Sequence, residues 1–180
     1  MGPRAVVVGP PGAGKTSVGR LLAERWAEPF RDTDADVERM AGKTISEIFT
    51  DDGEDAFRQL EERALERALA EHGGVLSVGG GVVVSERNRT FLAGHPVLYL
   101  AVGLAEGARR TGLSTARPLL AGINPRATYK QLLDARTPLY REVAALELDT
   151  DGVAPERLVE RAIAELPGTS GGSSRDRADP

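Results

Sequence analysis

The sequence predicts an α/β protein, a parallel five-stranded sheet with helices on both faces. Three observations carry this. Short apolar runs at Ala5–Val8, Val75–Val78, Val97–Val102 and Leu146–Leu148 alternate with longer stretches of helical periodicity, the order in which parallel strands are joined by helical crossovers. Most of these runs are continuously apolar, as strands covered on both faces are. The first run enters Gly9-Pro10-Pro11-Gly12-Ala13-Gly14-Lys15-Thr16 and then a helical pattern from Ser17 to Trp26, so a glycine-rich phosphate loop stands between the strand and helix it requires.

In such a loop the backbone N–H groups and the positive end of the helix dipole point at one anion. Lys15 is placed to reach the β- and γ-phosphates, and the Thr16 hydroxyl to sit on Mg²⁺. Lys15 is one of only three lysines, with Lys43 and Lys130, so it does not come from a lysine-rich background.

A chain of 180 residues with 41% hydrophobic content fits one domain around one core, predicted over 1–166. From Gly168 to Pro180 there is no apolar periodicity, and 167–180 is expected to be a disordered tail. A net charge of −4 gives no reason to expect nucleic acid or an anionic membrane as partner. The absence of cysteine excludes disulfides and thiolate metal sites. No apolar run approaches the roughly eighteen residues of a membrane span, and a cytoplasmic monomer is expected.

After the first helix, Phe30-Arg31-Asp32-Thr33-Asp34 reads as a short strand leaving into a polar turn, with Asp34 a candidate cap for the helix that Val37 and Met40 begin. Thr44-Ile45-Ser46-Glu47 has capping-box spacing and opens a short helix that Asp51-Asp52-Gly53 breaks. From Glu54 to Leu69, Ala56, Phe57, Leu60, Ala64, Leu65, Ala68 and Leu69 form an apolar stripe, with Arg58, Glu61 and Glu62 off it. The next strand ends in Gly79-Gly80-Gly81, where backbone must come close to a neighbour. Helices follow at Ser85 to Leu92 and Leu104 to Arg110, and then an irregular segment from Thr111 to Gly122, longer than ordinary connections are. Asn124-Pro125 caps and starts a helix expected to stop near Thr137-Pro138. A last strand and a helix with Leu158, Val159, Ala162, Ile163 and Leu166 on one face complete the chain.

A phosphate loop says only that nucleotide binds; the reaction depends on what faces the γ-phosphate. Asp32 and Asp34 sit where ligands gather, at the carboxyl end of a strand, and suit a metal's water shell and an acceptor hydroxyl respectively. A solvated turn with a helix cap accounts for the same pattern. Arg58 fits an exposed arginine paired with Glu54 and Glu62, Arg136 a cation at a helix end and Arg117 a loop residue. A guanidinium fork is nevertheless the group that binds a carboxylate by two parallel hydrogen bonds.

Along nearly its whole length the chain resembles shikimate kinase. The resemblance rests on the phosphate loop, Asp32-Thr33-Asp34, Glu38, Gly42, Ile45, Glu47-Ile48-Phe49, Gly53-Glu54, Phe57-Arg58, Glu61, Gly79-Gly80-Gly81, Arg117-Pro118-Leu119-Leu120, and Arg136 with Pro138 and Tyr140. It implies a P-loop, nucleoside-monophosphate-kinase-like fold with a mobile lid at roughly 112–124, a shikimate-binding region at roughly 33–61, and ATP-dependent phosphorylation of the 3-hydroxyl of shikimate on the way to chorismate and aromatic amino acids. Asp34, Arg58, Gly79, Gly80, Gly81 and Arg136 would then hold shikimate, with Asp34 on its reacting hydroxyl. Gly12, Ala13, Gly14, Lys15, Thr16 and Ser17 would hold ATP phosphates with the lid's Arg117, Thr16 and Asp32 would hold Mg²⁺, and Arg110 and Pro155 would flank adenine. Asp151-Gly152-Val153 departs from the basic residues common in that last loop. A kinase for gluconate or a nucleotide, and a non-catalytic ATP-dependent switch, are the alternatives. With 4% aromatic residues the chain is poor in the slot a second base needs, and a switch leaves Arg58 and Arg136 unexplained.

Overall fold

The computed structural model describes residues 2–112 and 124–168. Its elements run β1 (Ala5–Val8), α1 (Lys15–Trp26), β2 (Phe30–Asp32), α2 (Thr33–Ala41), α3 (Ile45–Asp51), α4 (Glu54–Glu71), β3 (Val75–Ser77), α5 (Glu86–Leu92), β4 (Val97–Ala101), α6 (Leu104–Thr111), α7 (Pro125–Val143), β5 (Leu146–Asp149) and α8 (Pro155–Glu165), with a 3₁₀ turn at Val82–Val84. The strands form one sheet in the order β2-β3-β1-β4-β5, and every pairing is parallel.

Side chains alternate across each strand, so β1 splits between two cores. Ala5 and Val7 pack with Val18 and Leu22 of α1 and Leu158, Val159 and Ala162 of α8. Val6 and Val8 pack on the opposite face with Leu65, Ala68 and Leu69 of α4, Leu92 of α5 and Tyr140 of α7. Both faces are covered, which is why the strand runs are apolar throughout. A smaller cluster of Val37, Ile48, Phe57 and Ala64 joins α2, α3 and α4. Among the described residues no helix is long and apolar enough to cross a membrane.

The capping box at Thr44 and Glu47 forms as expected, and Asn124 caps α7 by accepting from the Ala127 N–H at 3.1 Å. Two expectations are corrected. The cap of α2 is Asp32, not Asp34: Oδ1 of Asp32 accepts the Asp34 N–H at 2.9 Å, and the Asp34 side chain is left for another task. Helix α7 does not stop at Thr137-Pro138 but runs to Val143 with Pro138 inside it. Proline removes one helical donor; burial of Tyr140 beyond it holds the last turn to the core.

Candidate active site

Strand β1 is central, and its carboxyl end feeds the phosphate loop at the point where the strand order reverses, the usual ligand crevice of an open α/β sheet. Gly14, the residue preceding α1, has φ +87°, a left-handed conformation that disfavours side chains, and α1 begins with no side-chain cap. Its first N–H groups are therefore available to an anion. A cleft of about 450 Å³ opens there, lined by the loop from Pro11 to Ser17, by Asp32, Asp34, Ser77, Val78 and Gly80, and by Arg110. Ala13 belongs to the same loop but is buried as part of the core.

Lys15 Nζ donates to the Pro10 carbonyl at 3.1 Å, and its charge is felt by Asp32 and Asp34. Thr16 Oγ1 lies 3.4 Å from Oδ2 of Asp32. A hydroxyl and a carboxylate side by side fit Mg²⁺, which keeps much of its water and takes further oxygens from phosphate. Burial raises the Asp32 pKa, against the pull of the Asp34 N–H and of Lys15.

Asp34 is the more perturbed of the two. Burial, then the neighbouring Asp32, push its carboxyl up to about 6, while Lys15 pulls it down. Its side chain faces Gly79: a methyl group added there would lie 2.7 Å from Oδ1 of Asp34 and 3.0 Å from Oε2 of Glu61. The glycine triplet is thus a place of close approach, as its sequence implied. At Gly81 an added methyl would collide with the Arg58 guanidinium.

Arg58, on α4, pairs with Glu54 as the helical spacing suggested, but with Glu61 rather than Glu62. Its Nη1 lies 2.7 Å from Oε1 of Glu61 and its Nη2 3.5 Å from Glu54, whereas Glu62 is bound to Arg87. Glu61 is buried, not on the solvated side where the apolar stripe placed it. Burial raises its pKa, opposed first by Arg58 and more weakly by Arg136. Arg136, also buried, comes from α7 and lies near Tyr140, where its charge opposes the upward pull of burial on the phenol. Arg58 thus contacts the Glu61 carboxylate directly, and Arg136, far from it in sequence, is near enough for its charge to act on the same carboxylate, which lies with Asp34 against Gly79. Both arginines adjoin the cleft rather than line it.

Arg110 reaches the phosphate loop from α6. Its guanidinium donates to the Gly12 carbonyl at 3.2 Å, to Thr150 Oγ1 at 3.1 Å and to the Thr150 carbonyl at 3.3 Å, with Nε on Glu106 at 2.8 Å. Pro155 is the first residue of α8 and is not among the described residues lining the cleft. Asp151, the departure noted in the sequence, accepts the Gly103 N–H on both carboxylate oxygens, at 3.0 and 3.1 Å, and so ties the loop after β5 to the residue preceding α6. Arg117, and positions 113–123 of the lid expected at roughly 112–124, lie outside the described residues. The sequence reading missed the anchoring role of Glu61, whose one signal was its i,i+3 spacing from Arg58. It also missed Tyr129 and Tyr140, whose hydroxyls bond the Pro11 and Gly80 carbonyls.

Comparison with known proteins places the chain in a family. The family model described as shikimate kinase matches residues 11–167. A shikimate kinase of Saccharopolyspora erythraea is 72% identical over 166 residues, covering 92% of this chain and 95% of its own, and one of Rhodococcus jostii is 52% identical, covering 92% and 99%. A solved shikimate kinase from Acinetobacter baumannii, in complex with shikimate, superposes with a TM-score of 0.87 at 38% identity, covering 91% of each chain. The chain belongs to the shikimate kinase family.

Proposed function

We propose that this protein transfers the γ-phosphoryl group of ATP to the 3-hydroxyl of shikimate, giving shikimate 3-phosphate and ADP on the route to chorismate. The observation that carries the reading is the Arg58–Glu61 pair beside Asp34 at Gly79, with the charge of Arg136 acting on the same carboxylate. A carboxylate-bearing acceptor bound by the two guanidiniums lies with its hydroxyl toward Asp34 and toward the cleft.

In this reading the loop N–H groups of Gly12, Ala13 and Gly14, with Ser17, hold phosphate oxygens. Lys15 sits on the β- and γ-phosphates and balances charge as it passes to the leaving group. Thr16 and, through water, Asp32 would hold Mg²⁺, which would neutralise phosphate charge. An Asp34 carboxylate oxygen accepts the hydrogen bond of the acceptor hydroxyl and orients its lone pair in line with the bond to break. The new P–O bond forms as the bond to ADP breaks, and the hydroxyl proton passes to Asp34 or to water. Asp34 need not be a strong base, because phosphoryl transfer relies on positioning and charge stabilisation. Arg117 is assigned to the transferring phosphate, and Arg110 and Pro155 to the adenine side. The protein works as a cytoplasmic monomer without nucleic acid or membrane, in keeping with its net charge of −4.

The test is ADP release with and without shikimate, with the product identified by phosphorus NMR. A shikimate-dependent rate and one new phosphate monoester at the 3-position are expected. A rate that shikimate does not change overturns the proposal.

A further inference from the structure

Three side chains of α7 are buried among the described residues, Tyr129, Arg136 and Tyr140. They are spaced by seven and four residues, so all three lie along one line of the helix to within about 20°. The two ends of this line hold different loops. Tyr129 donates its phenol O–H to the carbonyl of Pro11 in the phosphate loop, at 2.7 Å. Tyr140, three turns further on, donates to the carbonyl of Gly80 in the glycine strip.

Each ring is fixed apart from its hydroxyl. Tyr129 packs against Gly107 of α6 so closely that a methyl group at that glycine would collide with the ring. Tyr140 stacks on Tyr99 of β4, with ring centroids 5.0 Å apart and planes inclined by 23°, and its phenol also meets Arg136. The loops they hold touch one another: a methyl on Gly80 would lie 3.1 Å from Cδ of Pro11 and 3.4 Å from the Gly9 carbonyl oxygen. A single helix thus spans the nucleotide side and the acceptor side, with a hydrogen bond to backbone on each.

We infer that α7 sets the spacing between the two substrates, with Tyr129 positioning the phosphate loop and Tyr140 positioning the glycine strip and Arg136. The inference rests on the acceptor assignment made above. Its physical basis is that in-line transfer needs reacting atoms about 3–3.5 Å apart, and that a misplacement of about 1 Å can reduce the rate about a hundredfold. Neither tyrosine has to touch a substrate. A phenol on a backbone carbonyl fixes where that backbone's neighbouring N–H groups and side chains point.

The experiment uses Tyr129→Phe and Tyr140→Phe, which keep the rings and their packing and remove only the hydroxyls. Calorimetric titration of the full chain with ADP and, separately, with shikimate gives both affinities for each variant, and thermal melts establish that each is folded. Tyr129→Phe is expected to weaken ADP about 3- to 10-fold and leave shikimate within about twofold; Tyr140→Phe is expected to do the reverse. Both should lower kcat at saturation, since spacing is lost even when both sites are filled. Affinities that move together in either variant, or that do not move, overturn the inference, because a merely structural hydroxyl gives no crossed pattern. If the wild type binds ADP but not shikimate, the acceptor assignment fails and the Tyr140 half falls with it. The ADP titration of Tyr129→Phe then decides the other half on its own.

Discussion

Nη1 of Arg58 lies 2.7 Å from Oε1 of Glu61, and the Glu61 side chain is 2% exposed while that of Arg58 keeps 20%. The carboxylate is buried and the guanidinium is partly open, so Glu61 aims Arg58 rather than neutralising it at the surface. An unpaired buried charge is costly, and the pairing fixes one end of the fork, while the other is held only at 3.5 Å by Glu54, which is 56% exposed, and can turn to a ligand. Glu61→Gln keeps the shape and loses the charge. It should raise the KM for shikimate about tenfold and leave that for ATP within about twofold. Steady-state kinetics with each substrate varied in turn checks this, and an unchanged shikimate KM counts against the aiming role.

Arg136→Ala removes the second guanidinium. Shikimate binding should weaken by about 2–4 kcal/mol, since truncation removes a charged hydrogen-bond pair from a desolvated place, while ATP binding holds. Titration of each ligand reads the two affinities directly. Equal losses for both would mean that Arg136 supports the fold, not the acceptor.

For Asp34, function and stability should move in opposite directions. Burial and Asp32 push its carboxyl up to about 6 in the folded protein, so in the unfolded chain it ionises first. The contribution of Asp34 to native stability is then full below about pH 4 and is lost as pH rises through about 6. At pH 8 the buried charge costs up to about 3 kcal/mol. Asp34→Asn should therefore melt at a higher temperature than wild type at pH 8, converge with it near pH 4, and show a large fall in turnover. In the wild type, kcat/KM for shikimate should decline below about pH 6 as Asp34 takes up its proton. Near-normal turnover in the Asn variant would remove Asp34 from the acceptor site.

Chelation of divalent metal should abolish turnover, and Asp32→Asn should raise the Mg²⁺ concentration needed for half-maximal rate about tenfold or more. The Asn side chain still has an oxygen to cap α2, so thermal stability should change little. An Mg²⁺ dependence identical to wild type would show that Asp32 acts only as a cap.

The phosphate loop was legible because its chemistry is local: strand, glycines, lysine and helix are contiguous. The sheet was legible because burial on both faces leaves unbroken apolar runs. Glu61 was not, because its burial depends on Asp34 and Gly79 arriving from other elements. Asp32 and Asp34 have equal capping chemistry, and the choice between them was set by where β2 ends. Pro138 read as a helix stop because the lost donor is local, whereas the contacts that carry α7 past it, Tyr140 on Tyr99 and Gly80, are not. The partners of Tyr129 and Tyr140 are backbone carbonyls, which leave no residue-type signal at all.

The central claim is that Arg58 and Arg136 bind one carboxylate on the acceptor. Its most direct measurement is the ratio of kcat/KM for shikimate to that for its carboxamide, which keeps the ring and hydroxyls and loses the negative charge. A ratio of about one hundred or more is expected, from the loss of charge-assisted hydrogen bonds totalling about 3 kcal/mol. Equal values for the two compounds would contradict it.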